Sequence, residues 1–78
     1  MMELKEFIEN FAAQFDDTDA SVFTAETMFH DLDEWSSLIA LSIIARVDEE
    51  YDVTLKGDDI RHAQTIEDLF NTVKAKAE

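Results

Sequence analysis

Three segments of this chain place apolar residues three and four positions apart, the spacing that gives a helix one apolar face. The first runs from about Glu3 to Phe15, the second from Ser37 to about Tyr51, and the third starts at Thr65. An apolar face must be buried against another element, so three such segments are expected to pack on one another. The sequence therefore predicts an all-α fold.

Each predicted helix has a defined apolar face. The faces comprise Leu4, Phe7, Ile8, Phe11 and Phe15 in the first helix, Leu41, Ile44, Val47 and Tyr51 in the second, and Ile66, Leu69, Phe70 and Val73 in the last. In the second helix Ser42, Arg46, Glu49 and Glu50 are predicted to share the opposite, polar side. The last helix has a capping box, with Asp68 three residues after Thr65, and its lysines Lys74 and Lys76 suit a helix C-terminus.

The connections between the helices are predicted to be irregular. Residues 16–36 begin with turn-forming residues, and apolar anchors are expected to hold this long segment on the core: Val22, Phe23, Met28, Phe29 and Leu32. Residues 53–55 read as extended, Gly57 as the only turn that needs backbone freedom, and Asp58 as the cap of a short helical turn through Ile60. We therefore expect residues 1–78 to form one domain, a small four-helix bundle with three main helices and one short helix.

Composition narrows the possible functions. The 78 residues carry 19 acidic and 6 basic side chains, a net charge of −13, and no cysteine. Such a charge repels nucleic acid and anionic membranes, favours basic patches on partner proteins, and disfavours self-association, so we expect a monomer. The absence of thiols, of an apolar membrane span and of a signal-peptide pattern leads us to expect a cytoplasmic protein.

The run from Asp31 to Leu38 joins an acidic loop to the second helix through two serines. Ser36 is placed to cap the helix by accepting a backbone N–H, which leaves the Ser37 hydroxyl free. A free hydroxyl on a rigid element, surrounded by negative charge, suits a covalent attachment point better than a catalytic centre. We interpret Trp35 mainly as a packing anchor for this loop, with a partner contact as the alternative.

Catalytic and metal sites find little support. The chain has two histidines, His30 and His62, and no Gly-x-Ser-x-Gly motif surrounds Ser37. His30 is near enough in sequence to approach Ser37, but we interpret both histidines as ordinary surface groups. A calcium loop starting at Asp31 would place Ser36 where glycine is expected, and one starting at Asp48 fails in the same way. We therefore expect neither catalysis by this chain nor a specific metal site.

The stretch from Leu32 to Val53 resembles the acyl carrier protein family, and the likeness extends over nearly the whole chain. The family motif is Asp-Ser-Leu followed by an apolar helix that ends in acidic residues and an aromatic residue. Aligning Leu38 with the leucine of the motif makes Ser37 the modified serine, and Ser36 then replaces the aspartate. Asp48-Glu49-Glu50-Tyr51 matches the acidic and aromatic end.

The resemblance implies a four-helix bundle of acyl-carrier type. Ser37 would receive 4′-phosphopantetheine from coenzyme A through a phosphopantetheinyl transferase, and the arm would carry acyl groups as thioesters to acyl-transferring, ketosynthase or acyl-activating enzymes with basic docking patches. The candidate partner contacts are Asp33, Glu34, Trp35, Leu38, Ile39, Asp48, Glu49 and Glu50. The candidates for an acyl-binding pocket are Leu41, Ile44, Val47 and Ile60.

The chain departs from the common family pattern near Ser37. Fatty-acid carriers commonly have acidic residues where this chain has Ser36, Ile39 and Ser42, so we expect dedicated partners in a specialised fatty-acid or polyketide-like pathway. Ile39 falls on the polar side of the predicted second helix, which makes it a candidate partner contact. The alternative from another class is an acidic helical adaptor or nucleic-acid mimic that binds a basic protein without a prosthetic group.

Overall fold

The computed structural model describes residues 3–77, and it contains four α-helices and two 3-10 turns. These are α1 (Leu4–Ala12), the 3-10 turns Ala20–Val22 and Phe29–Asp31, α2 (Ser37–Tyr51), α3 (Gly57–His62) and α4 (Ile66–Ala77). Within residues 3–77 the only strand-like pairing is an isolated bridge between Met28 and Thr65. The predicted all-α class, with three main helices and a short one, is confirmed.

The core is built largely from aromatic side chains. All six phenylalanines are buried, and the ring of Phe11 lies 5.6 Å from Phe15 and 5.3 Å from Phe29 between centroids. α1 and α3 both pack against α4, where Phe7 meets Phe70 edge-on at 5.5 Å. The other buried residues are Ile43, Val47, Val53, Leu55, Ile60, Ala63, Ile66, Leu69 and Val73.

The first and last helices follow their predicted patterns closely. α1 ends at Ala12 rather than near Phe15, because the chain tightens into a turn in which the Phe15 N–H donates to the Ala12 carbonyl at 3.0 Å. Phe15 is nevertheless buried, as its place in the apolar stripe predicted. At α4 the capping box is confirmed: Thr65 Oγ1 accepts from the Asp68 N–H at 3.1 Å and Asp68 Oδ2 accepts from the Thr65 N–H at 3.2 Å.

The bounds of α2 are confirmed, but its predicted apolar face was wrong in part. Ile43 and Val47 form the buried stripe, and Ile39 packs half-buried against the core instead of standing on a polar side. Leu41, predicted to be on the apolar side, is 61% exposed. The physical reason is that apolar residues occupy several faces of α2, so that periodicity alone does not define which stripe faces the core.

The prediction for the α2–α3 connection was wrong about two residues. The left-handed residue is Asp52, with φ 56° at the end of α2, and not Gly57, which opens α3 without a positive φ. The acid that caps α3 is Asp59 rather than Asp58, because Asp59 Oδ2 accepts the Lys56 N–H at 2.9 Å. This hydrogen bond, with the Lys76 charge 3.4 Å away, lowers the pKa of Asp59. Residues 53–55 lie outside any helix, and Val53 and Leu55 are buried.

The long segment before α2 is held by fewer side chains than predicted. Phe23 and Phe29 are buried and Leu32 is half-buried, whereas Val22 and Met28 are 43% and 50% exposed. Backbone contacts hold these two positions instead: the Val22 carbonyl accepts from Thr27 Oγ1 at 2.7 Å, and Met28 forms the bridge to the start of α4. Within residues 3–77, no helix has the length and apolar character needed to cross a bilayer.

Candidate functional site

Two adjacent serines at the start of α2 have different surroundings. Ser36 is extended (φ −156°, ψ 171°), and its Oγ accepts the Ile39 N–H at 3.3 Å, which confirms the predicted N-cap. Ser37 is the first residue of α2, its side chain is exposed, and its hydroxyl has no hydrogen-bond partner within residues 3–77. The start of α2 therefore presents one hydroxyl that the fold does not use.

The loop that leads to these serines is tied by Glu34 to the segment that follows α1. Its carboxylate accepts from the Asp16 N–H at 2.9 Å, the Asp17 N–H at 3.1 Å and the Thr18 hydroxyl at 2.7 Å. The Thr18 hydroxyl, followed by the backbone donors, lowers the pKa of Glu34, because these hydrogen bonds favour the charged carboxylate. This candidate partner contact is therefore engaged in holding its own loop.

Trp35 anchors the same loop on the aromatic core. Its ring is half-buried, 4.9 Å from Phe29 and stacked 6.4 Å from both Phe11 and Phe15 between centroids. His30 meets Trp35 edge-on at 5.3 Å. The packing interpretation of Trp35 is supported by these contacts, and they fix the position of the chain just before the serines.

An open groove of about 590 Å³ runs from Ser37 along α2 toward α3. We call it the α2–α3 groove, and the residues that line it are His30, Trp35, Ser36, Ser37, Ala40, Leu41, Ile44, Gly57, Ile60 and Arg61. Most of this lining is apolar, and the basic side chains in it are those of His30 and Arg61. The free hydroxyl of Ser37 thus lies at the edge of an apolar surface.

His30 holds α3 in place beside this groove. Its Nε2 lies 3.0 Å from the Ile60 carbonyl and 3.0 Å from the Ala63 carbonyl. Because both partners can only accept, Nε2 must carry the hydrogen, which defines the tautomer of the neutral ring. His30 is therefore more than the ordinary surface group that the sequence suggested, and its Nε2 is committed to these carbonyls rather than to Ser37.

Three of the four candidates for an acyl pocket line the α2–α3 groove, namely Leu41, Ile44 and Ile60. Val47 does not line it: this side chain is buried next to α1, where it lines a smaller hollow together with Phe7 and Tyr51. Ile60 is also part of the core, so it forms the floor of the groove. Leu41 stands at its outer edge.

The remaining candidate partner contacts lie in different surroundings. Leu38 is 75% exposed, and with Leu41 it forms an apolar patch on α2 near Ser37. Asp33 is exposed before the helix, and Asp48, Glu49 and Glu50 are exposed near its end. Glu50 also pairs with Arg46 at 3.3 Å. Within residues 3–77, no group of three or more side chains is arranged to hold a metal ion.

Sequence reasoning missed the contact of His30 with α3 and the presence of Arg61 in the groove. His30 was placed in a loop without a partner, and Arg61 drew no attention. Arg61 follows Ile60 directly, so its position at the groove could have been inferred from the choice of Ile60 as a lining residue. The contact of His30 with α3 spans 30 residues of sequence and left no local pattern from which to infer it.

Comparison of this chain with protein-family models, with curated proteins and with solved structures gives no match.

Proposed function

We propose that this chain is an acyl carrier protein and that Ser37 is the attachment site for 4′-phosphopantetheine, donated by coenzyme A through a separate transferase. The observation that supports this most directly is the free, exposed Ser37 hydroxyl on the first residue of α2, with the capping role taken by Ser36. A hydroxyl so placed can enter the active site of another enzyme without unfolding its own helix. The activating base would come from that enzyme.

The surroundings of Ser37 are compatible with such a group. The apolar walls of the α2–α3 groove, formed by Leu41, Ile44 and Ile60, could shelter an acyl chain near the attachment point. When bound, the group supplies a thiol on a flexible arm that holds acyl groups as thioesters. The residues of this chain then position the arm and recognise partners; the bond-making chemistry belongs to the partner enzymes.

The exposed surface of α2 suits docking by basic partners. The patch formed by Leu38 and Leu41 supplies apolar contact area next to Ser37, and the exposed Asp33 before α2 and Asp48 and Glu49 near its end add negative charge. Complementary charge would accelerate encounter, while the apolar patch would supply short-range contact. Because Ile39 and Ser42 stand where common fatty-acid carriers are acidic, we propose dedicated partners in a specialised fatty-acid or polyketide-like pathway.

The attachment site is tested by incubating the folded protein with coenzyme A and a broad-specificity phosphopantetheinyl transferase, then fragmenting the product by mass spectrometry. The proposal predicts that the added group is found on Ser37. Modification at another serine would contradict the assignment. The specialised pathway is tested separately: housekeeping fatty-acid enzymes should elongate this carrier's acyl form poorly compared with their own carrier's.

A further inference from the structure

Arg61 lies in a position that the fold does not require. The chain has two arginines, and Arg46 is engaged with Asn10 Oδ1 at 3.0 Å and Glu50 at 3.3 Å. Arg61 instead lines the α2–α3 groove, its side chain is 74% exposed, and its ion-pair partner is Asp58, one helical turn earlier and itself exposed. An exposed pair of this kind contributes little to stability and exchanges partners readily.

Arg61 places a positive charge in the groove of a strongly acidic protein. In a chain of net charge −13, the described residues that line the α2–α3 groove include no carboxylate, and Arg61 is the permanently charged cation among them. A phosphodiester added to Ser37 would bring one more negative charge to the same groove. An arginine presents a planar fork of donors that matches two phosphate oxygens at once, which a carboxylate-rich surface elsewhere on the protein cannot offer.

We propose that the Arg61 guanidinium binds the phosphodiester attached to Ser37 and releases Asp58 when it does so. This inference rests on the proposed function. The phosphorus is bonded directly to the serine oxygen, so the phosphate stays at the Ser37 edge of the groove. The acyl group, by contrast, is attached at the far end of a long arm. Arg61 would therefore bind the phosphate whichever acyl group is attached, and it would direct the arm along the groove. The contact would link Arg61 of α3 to the modified Ser37 of α2 only in the loaded form.

The test compares unloaded and loaded protein by the side-chain Nε–H signals of its two arginines in ¹⁵N-edited NMR, assigned by their loss in Arg46→Ala and Arg61→Ala. Loading should shift the Arg61 signal and leave that of Arg46 in place. A second readout is the melting temperature. The loaded wild type should melt above the unloaded protein, and that difference should be lost in Arg61→Ala and diminished in Arg61→Lys, which keeps the charge but not the fork.

Two further variants complete the design. Asp58→Asn removes the competing carboxylate and should enlarge the difference between loaded and unloaded protein, while Arg46→Ala should lower both melting temperatures equally. An Arg61 signal that does not move on loading, with an unchanged melting difference in Arg61→Ala, would overturn the inference while the mass gain still supported the carrier function. Absence of any mass gain in the wild type would count against both proposals.

Discussion

At the scale of single residues, Ser36 and Ser37 divide two roles between adjacent hydroxyls. Ser36 accepts the Ile39 N–H and caps α2, whereas Ser37 makes no such contact among the described residues. We predict that Ser36→Ala lowers the free energy of unfolding by about 1 kcal/mol, the usual cost of losing a cap. Ser37→Ala should change it by less than about 0.5 kcal/mol. Urea denaturation of both variants checks this, and equal losses would contradict the division of roles.

The hydrogen bonds of Glu34 predict how the stability of the protein depends on pH. The Thr18 hydroxyl and the N–H groups of Asp16 and Asp17 lower its pKa in the folded protein, so the unfolded chain binds a proton more readily. Its contribution to stability is therefore present above the unfolded pKa and is lost as pH falls through the folded pKa. Glu34→Gln should be less stable than wild type at neutral pH, and the difference should narrow in acid.

The matched control for Glu34 is Asp33→Asn, which makes the same charge change at an exposed neighbouring side chain. Thermal melts of the three proteins between neutral and acidic pH separate the two effects. Asp33→Asn should not reproduce the loss at neutral pH, because it removes only a repulsive charge. Identical behaviour of the two variants would mean that net charge, rather than the hydrogen bonds of Glu34, controls the effect.

Ser36 also shows what local sequence can predict about a site. A serine before an apolar helical run has one dominant use, the cap, and that use leaves the next serine free. The hydrogen-bond partners of Glu34 lie 16 to 18 positions before it in the sequence, and no residue near Glu34 indicates these contacts. The candidate attachment residue could be predicted, but the contacts that hold its loop could not.

At the scale of elements, α3 depends on a contact from outside itself. A helix of six residues has little stability of its own, and His30 donates to the carbonyls of Ile60 and Ala63 at its end. We predict that His30→Phe, which keeps a ring beside Trp35 but removes the donor, costs about 1 kcal/mol. Hydrogen exchange should accelerate in α3 but not in α4.

The control for His30 is His62→Phe, a change at the other histidine, which is exposed at the end of α3. This variant should leave the exchange rates of α3 close to those of the wild type. If His62→Phe accelerated exchange as much as His30→Phe, the effect would come from adding an aromatic ring rather than from losing the donor.

The left-handed backbone of Asp52 gives a second prediction at the scale of elements. It ends α2 at φ 56°, where a side chain branched at Cβ is strained by roughly 1–2 kcal/mol. Asp52→Val should therefore destabilise the protein by about that amount, while Asp52→Gly should be tolerated. Guanidinium denaturation of the two variants measures the difference, and equal stability would contradict the assigned backbone conformation.

The elements also show why some predictions succeeded. α4 combines one apolar stripe with a capping box, so the periodicity and the helix-start signal indicate the same helix. Its predicted buried residues are all buried. α2 has good bounds but an ambiguous face, because Leu38, Ile39, Leu41, Ile43 and Ile44 surround it with apolar residues. The face that is buried, with Ile43 and Val47, lies next to Phe7 and Phe11 of α1, and tertiary packing of this kind leaves no periodic signal.

At the scale of the whole molecule, crowded negative charge opposes the compact state. A net charge of −13 is held within a Cα radius of gyration of 11.2 Å, close to the screening length of about 8 Å at physiological salt. Divalent cations should accumulate more strongly around the folded protein than around the expanded chain. We predict that magnesium or calcium raises the melting temperature beyond a sodium chloride control of equal ionic strength.

The dependence of the melting temperature on divalent-cation concentration shows whether binding is diffuse or confined to a specific site. The described residues contain no cluster arranged to hold a metal ion, so the rise should be gradual and similar for magnesium and calcium. Equal melting temperatures in the divalent salt and its sodium control would contradict preferential binding to the folded surface.

The most direct test of the central claim is the intact mass of wild type, Ser36→Ala and Ser37→Ala before and after incubation with coenzyme A and a broad-specificity transferase. A carrier of the proposed kind gains the mass of one phosphopantetheine group in the wild type and in Ser36→Ala, and gains nothing in Ser37→Ala. Folded wild type that gains no mass with several transferases would contradict the claim, and an acidic adaptor that binds basic proteins through its charged surface would then be the better account.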